Sequence, residues 1–168
     1  MRSCTEKEDT NKKNQAYKKE NLKILALREG DDFAYGSYLE FAQSSGIKYE
    51  QLSVSLIMNH KFDNEQSYYQ IYRCMVELGN DFKYSPKNLA NLEATDKAFA
   101  MSYLVKGAKK NHLTCQAELE KIYRNGYGQQ IDLKKSDSLY SLLEKSAGVG
   151  HFYVRHRKNK SKVDEIGG

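Results

Sequence analysis

Tryptophan is absent from this sequence, and proline occurs once, at Pro86. A proline inside a helix costs about 3 kcal/mol, so its scarcity leaves helices free to form along most of the chain. The turn punctuation and alternating Val, Ile and Thr runs of an all-β protein are also missing. Cysteine occurs three times, at Cys4, Cys74 and Cys115. An odd count without metal-type spacing argues against a disulfide framework. Cys74 and Cys115 fall within expected helices, where a free cysteine behaves as a small buried hydrophobe. No apolar run approaches the roughly 18 residues of a membrane span, and no signal-peptide core is present.

Catalytic signatures are missing as well. The chain has no phosphate-binding Gly-x-x-x-x-Gly-Lys, no His-Glu-x-x-His and no Gly-x-Ser-x-Gly. Gly126-Tyr127-Gly128 begins like a dinucleotide loop but lacks the third glycine and a preceding strand, so it reads as a helix-ending turn. His60, His112, His151 and His156 form no close cluster, so no metal site is expected. His112 and Cys115 lie one helical turn apart, but Cys115 sits on an apolar face, which argues against a nucleophilic pair. Asp31-Asp32 reads as a helix cap. Glu118 and Glu120 read as a solvated helix face, because residues one or two apart on a helix point in different directions. Neither catalysis nor a cofactor is expected.

Hydrophobic residues make up 39% of the 168, which suits a thin or elongated single-domain core, and 29% are charged. Residues 1–16 are polar and without periodicity, and are expected to be a flexible leader. Apolar residues at helical spacing then begin. Leu22, Leu25 and Ala26 mark a helix over 17–28 that Gly30 stops. Asp31 or Asp32 caps the next, which buries Ala34, Tyr38, Phe41 and Ala42. A third helix over 49–60 carries Leu52, Leu56 and Ile57. Asp63, with Gln66 three residues on, has the form of a capping box for a fourth helix. That helix bears Tyr68, Ile71, Tyr72 and Met75 and ends near Gly79. A long connection follows to Asn91. The fifth helix, over 95–110, presents Ala100, Leu104, Gly107 and Ala108. The sixth presents Cys115, Leu119, Ile122 and Tyr123 and closes at Gly126-Tyr127-Gly128. Asp132 caps a seventh with Leu139, Leu143, Ser146 and Ala147 on one side. A short eighth begins near His151.

An internal repeat emerges from the fifth and seventh helices. Leu104, Lys106, Ala108 and His112 align with Leu143, Lys145, Ala147 and His151, each pair 39 residues apart. Ala100 with Leu139, Gly107 with Ser146 and Asn111 with Gly150 keep the same offset. A fixed period of about 20–50 residues is the signature of a helical solenoid. The small residues at the helix ends let neighbouring helices cross closely. The expected fold is therefore all-α: an α-solenoid of about four antiparallel helix pairs, over 17–45, 47–79, 95–127 and 133–160. It forms one domain over 17–155, with a basic tail at 156–168.

The segment from Lys97 to Ala147 resembles the Sel-one-like repeat, a relative of the tetratricopeptide repeat. The matching parts are Ala108, Asn111-His112, Leu119, Tyr123, Gly126, Gly128, Asp132, Lys135 and Tyr140. Cys115 and Ser136 stand where that family usually has alanine, and the 47–95 region matches poorly. The resemblance implies a non-catalytic protein-binding module. It also implies an immunity-type role, neutralising a cognate bacterial toxin or effector, because some small Sel-one-like proteins serve that way.

Candidate contact residues follow from the tyrosines, of which there are 13. Tyrosine joins a large apolar surface to a polar tip and is enriched at interfaces. Tyr68, Tyr72 and Tyr123 share faces with isoleucines and are expected in the core. Tyr69 points away from its stripe, Tyr103 borders one and Tyr127 lies in a turn; these three are the protein-binding candidates. Leu104, Gly107, Ala108, Leu119, Tyr123, Gly126, Gly128, Leu143 and Ala147 are the expected repeat-packing set. Cys4, with a polar tether after it, has the form of a lipidation site, although Arg2 fits a lipidation box poorly. The expected place is a lipid-anchored periplasmic protein if Cys4 is lipidated, and otherwise the cytoplasm. Arg155, Arg157, Lys158, Lys160 and Lys162 give the alternative reading, a basic-tailed adaptor for nucleic acid or an anionic membrane surface, consistent with the net charge of +5. A protein partner is expected ahead of nucleic acid, and membrane contact only through the lipid anchor.

Overall fold

Helix follows helix, and apart from the longer stretch after α4 the connections are short, as antiparallel neighbours require. The computed structural model describes residues 18–147. Helix α1 spans 18–29. It is followed by α2 (Asp32–Ser45), α3 (Lys48–Phe62), α4 (Glu65–Leu78), a 3-10 helix (Pro86–Asn91), α5 (Ala94–Lys109), α6 (Leu113–Asn125) and α7 (Leu133–Ala147). Among the described residues there is no strand. The fold is all-α, with consecutive helices packed on their neighbours as in a helical solenoid. The leader with Cys4, the eighth helix near His151 and the basic tail lie outside the described residues.

Local chemistry sets the helix ends. The carboxylate of Asp31 accepts from the amide of Ala34 at 2.6 Å and starts α2. Asp132 does the same for α7, accepting from the amide of Lys135 at 3.0 Å. The start of α4 differs from expectation. Its cap is Asn64, whose side-chain oxygen accepts from the Ser67 amide at 2.9 Å. Asp63 instead closes α3 in the left-handed conformation, with φ 51° and its amide bonded back to Asn59. Its carboxylate is then free to accept from the Tyr68 hydroxyl at 2.6 Å and to pair with Lys110. Sequence alone does not separate the two neighbours, since Asp and Asn serve both as caps and as left-handed residues. The long connection after α4 also folds: the 3-10 helix buries Leu89 completely.

Two groups of buried side chains form the core. Ala26, Ala34, Tyr35, Tyr38, Leu39, Ala42, Val54 and Met58 join α1, α2 and α3. Tyr68, Ile71, Tyr72, Val76, Leu89, Ala100, Leu104, Leu119 and Ile122 are among those joining α4, the 3-10 helix, α5 and α6. Helix α3 serves both, with Val54 and Met58 in the first group and Leu52 and Leu56 against the second. Ile57, expected with them, is 43% exposed. Of the repeat-packing set, Leu104, Ala108, Leu119 and Leu143 are buried and Tyr123 is partly buried.

Gly107 shows how tightly the helices cross. A Cβ built there would lie 2.6 Å from Cys115 Sγ on α6 and 2.7 Å from Tyr68 Cβ on α4. Its counterpart one period later, Ser146, is exposed. Gly128, at φ +69°, brings the turn after α6 against the backbone of Leu89 and Ala90, where a Cβ would sit 3.0 and 3.1 Å away.

Polar groups are buried between helices too. Glu77 Oε2 pairs with Lys48 Nζ at 2.8 Å, and both side chains are nearly sealed from water. Glu118 and Glu120 are buried, not solvated as the sequence reading held. Glu118 accepts from the Tyr84 hydroxyl, and Glu120 accepts from Arg124 Nε at 2.6 Å and Ser136 Oγ at 3.1 Å. Each carboxylate thus ties α6 to a neighbouring segment, because a buried charge survives only when paired.

Candidate functional site

The odd and even helices separate into two layers. Lys19 and Lys23 of α1 reach Glu50 of α3 at 2.8 and 3.3 Å. The His60 ring of α3 lies 3.1 Å from the Tyr103 hydroxyl of α5. On the other side, Asp32 at the start of α2 accepts from the Asn64 side chain at 2.6 Å. Gln43, near the end of α2, presents its amide oxygen to Arg73 Nη1 at 2.9 Å, in the third turn of α4. Start meets start and later turn meets later turn, so α2 and α4 run parallel.

Between them lies a groove of about 640 Å³, closed at one end by His112 and Thr114 where α6 begins. Helix α2 contributes Asp32, Gly36, Leu39, Glu40 and Gln43, which recur at three- and four-residue spacing around the adjacent pair Leu39 and Glu40 and hence share one face. From α4 come Glu65, Gln66, Tyr69, Gln70 and Arg73, with Asn64 at its cap. Gly36 keeps the wall low: the nearest atom to a Cβ built there is Gln66 Oε1, at 3.7 Å. The lining is mostly amide and carboxylate.

Arg73 is held in place on several sides. Its Nε donates to Glu77 at 2.9 Å, and its guanidinium stacks over the Tyr84 ring at 5.5 Å. His112 caps α6, with Nδ1 accepting from the Cys115 amide at 3.3 Å. Burial holds its pKa below the ordinary histidine value, against the opposing pull of Glu65. The neutral ring is therefore the form at pH 7, and the proton resides on Nε2. Cys115 Sγ lies only 3.2 Å from that Nδ1. This geometry does not make a nucleophile. The thiol is fully buried, and burial pushes its pKa up to about 12, so it stays protonated. Cys74 is likewise buried and pushed up to about 11.

The three tyrosine candidates separate. Tyr69 is partly buried and lines the groove, its ring 6.2 Å from that of Tyr72. Tyr103 is only 5% exposed and belongs to the core, packed on Phe99, Tyr68 and His60. It is thereby removed as a contact surface; a residue bordering an α5 stripe is covered once α3 and α4 pack on that helix. Tyr127 is partly buried against the same core and lies away from the groove. Sequence reasoning missed Gln43, Gln66, Gln70, Glu40 and Arg73. Their one available signal was the polar pairing Gln66–Gln70 and Glu65–Tyr69–Arg73 at i, i+4 beside an apolar stripe.

Among the described residues no group of three or more His, Cys, Asp or Glu side chains is placed to hold a metal ion. No helix among them is long and apolar enough to cross a membrane. What the fold defines is a class, an all-α protein of stacked antiparallel helices. No family model, curated protein or solved structure matches the chain.

Proposed function

We propose that this chain is a non-catalytic protein-binding module that holds a segment of another protein in the groove over α2 and α4. The observation that carries this reading is the groove itself: about 640 Å³ of open space, walled by two parallel helices and lined largely by polar groups. Stacked helix pairs use such troughs to grip peptides and partner edges. The Sel-one-like resemblance of Lys97 to Ala147 supports the same class. A narrower reading, neutralisation of a secreted toxin by an immunity-type protein, rests on that resemblance alone. The protonated thiols and the capping role of His112 favour binding over chemistry.

The test is site-specific photo-crosslinking in the native host. A photoreactive residue at Gln66 in the groove is expected to trap a discrete protein partner, and one at exposed Ser53 on α3 to trap none. Trapping from Ser53 with nothing from Gln66 would contradict the proposal.

A further inference from the structure

The base of the groove carries an unanswered acceptor. Gln70 is 7% exposed, so it is a buried amide at the groove's floor. Its Nε2 donates to Cys74 Sγ at 3.4 Å, a weak acceptor. Its Oε1 accepts no hydrogen bond from the described residues, yet is not among the polar atoms sealed inside the core. That oxygen therefore opens on the groove, where a buried acceptor calls for a donor.

Charge gives a second, independent pointer. Among the described residues, Asp32, Glu40 and Glu65 line the groove, and Arg73 is the one cation there. The Arg73 charge is already engaged by Glu77, and His112 is held neutral by burial. The groove is thus net negative on a chain whose net charge is +5. Phosphate-bearing ligands are repelled from such a lining, and ammonium or guanidinium groups are drawn to it.

Dimensions set the conformation of the occupant. From Asp32 to Gln43 the α2 wall rises about 16 Å at ~1.5 Å per residue. Extended chain advances about 3.3 Å per residue, so this length takes roughly five residues. A helical ligand has its own amides already bonded, whereas extended chain offers free N–H groups to Gln70 and free carbonyls to the Gln66 amide.

We infer that the groove takes an extended peptide segment bearing lysine or arginine side chains. Its main-chain N–H donates to Gln70 Oε1, and its cations pair with Glu40, Glu65 and Asp32. This deepens the binding reading above and rests on the same groove. Tyr69 offers its ring to the aliphatic stems or the cations themselves.

The experiment uses three fluorescein-labelled ten-residue peptides, read by fluorescence anisotropy against the full chain. One has lysine at alternate positions among serine and alanine. One has glutamate at those positions. The third is the lysine peptide with its backbone amides N-methylated. The lysine peptide is expected to bind and the glutamate peptide not. Glu40→Lys with Glu65→Lys, both at exposed positions, is expected to weaken the lysine peptide about tenfold. Gln70→Met is expected to weaken it about fivefold, and N-methylation to do the same on the unaltered protein. The methylated peptide keeps the main-chain test intact if Gln70→Met fails to fold. Equal binding of lysine and glutamate peptides, or indifference to the charge reversals, overturns the inference. Indifference to N-methylation overturns its main-chain part. A partner crosslinked from Gln66 through an acidic segment would overturn the inference and leave the protein-binding role standing. Failure of the crosslink itself would overturn that role.

Discussion

Substituting alanine for glycine at two helical positions separates the packing account from helix propensity alone. In a helix interior the change gains about 1 kcal/mol, because glycine pays more backbone entropy and covers less of the chain. At Gly36 nothing opposes the gain: a Cβ there meets only Gln66 Oε1, at an ordinary 3.7 Å. Gly36→Ala is therefore expected to stabilise by about 0.5–1 kcal/mol. At Gly107 the same Cβ lies 2.6 Å from Cys115 Sγ, 2.7 Å from Tyr68 Cβ and 3.3 Å from Cys115 Cβ. The two β-carbons are fixed to the backbones of α6 and α4 and cannot swing aside, so relief requires moving a helix. Overpacking of this kind costs about 1–3 kcal/mol. The propensity gain is smaller here, in the last turn of α5, so the net effect of Gly107→Ala is a loss of about 1–2 kcal/mol. Urea unfolding followed by helical circular dichroism reads both. With a slope of about 2 kcal/mol per molar, the midpoint should rise by a few tenths molar for Gly36→Ala and fall by about 0.5–1 M for Gly107→Ala. A rise of similar size at both positions would refute the close crossing of α4, α5 and α6.

Three further outcomes follow from the polar contacts. Glu77→Ala strands the buried Lys48 ammonium and should destabilise by about 3 kcal/mol, while the double change Lys48→Met with Glu77→Leu should lose clearly less; urea midpoints decide. Asn64→Ala removes the α4 cap and should cost about 1 kcal/mol, more than Asp63→Asn, which keeps a residue that tolerates the left-handed conformation; a reversed order would restore the Asp63 carboxylate as the cap. His112 has its pKa depressed on folding, so the unfolded chain binds the extra proton first. Its stabilising contribution is complete above the ordinary value near 6.5 and is lost as pH falls through the depressed value. His112→Asn keeps an N-cap without the titration, so its melting temperature should fall less between pH 7.5 and 5.5 than that of the unaltered chain.

The helical pattern was plain in the residues because each helix carries its apolar side chains at three- and four-residue spacing. Leu104, Leu119 and Leu143 sit where that spacing puts them. Spacing within a helix says which side is apolar, but not how much of the remaining surface a neighbour covers. Tyr103, Glu118 and Glu120 were misjudged for that reason: the first borders an apolar stripe, the other two are charged, and all three are covered by tertiary neighbours. Lys48 and Glu77 illustrate the same point over a longer range, since their pairing joins the start of α3 to the end of α4. The groove was less legible still. Its residues come from three helices spread between Asp32 and Thr114, and only the parallel course of α2 and α4 assembles them. Tyr69 alone was reached from sequence, through its departure from the α4 stripe.

Amide hydrogen exchange of the full chain, with and without the partner trapped from Gln66, addresses the proposed binding face most directly. Slowed exchange over residues 32–43 and 64–73, with residues 48–62 of α3 unchanged, is the predicted pattern. Protection confined to α3 and α5, with α2 and α4 exchanging as in the free protein, would place the partner on the opposite layer and contradict the account.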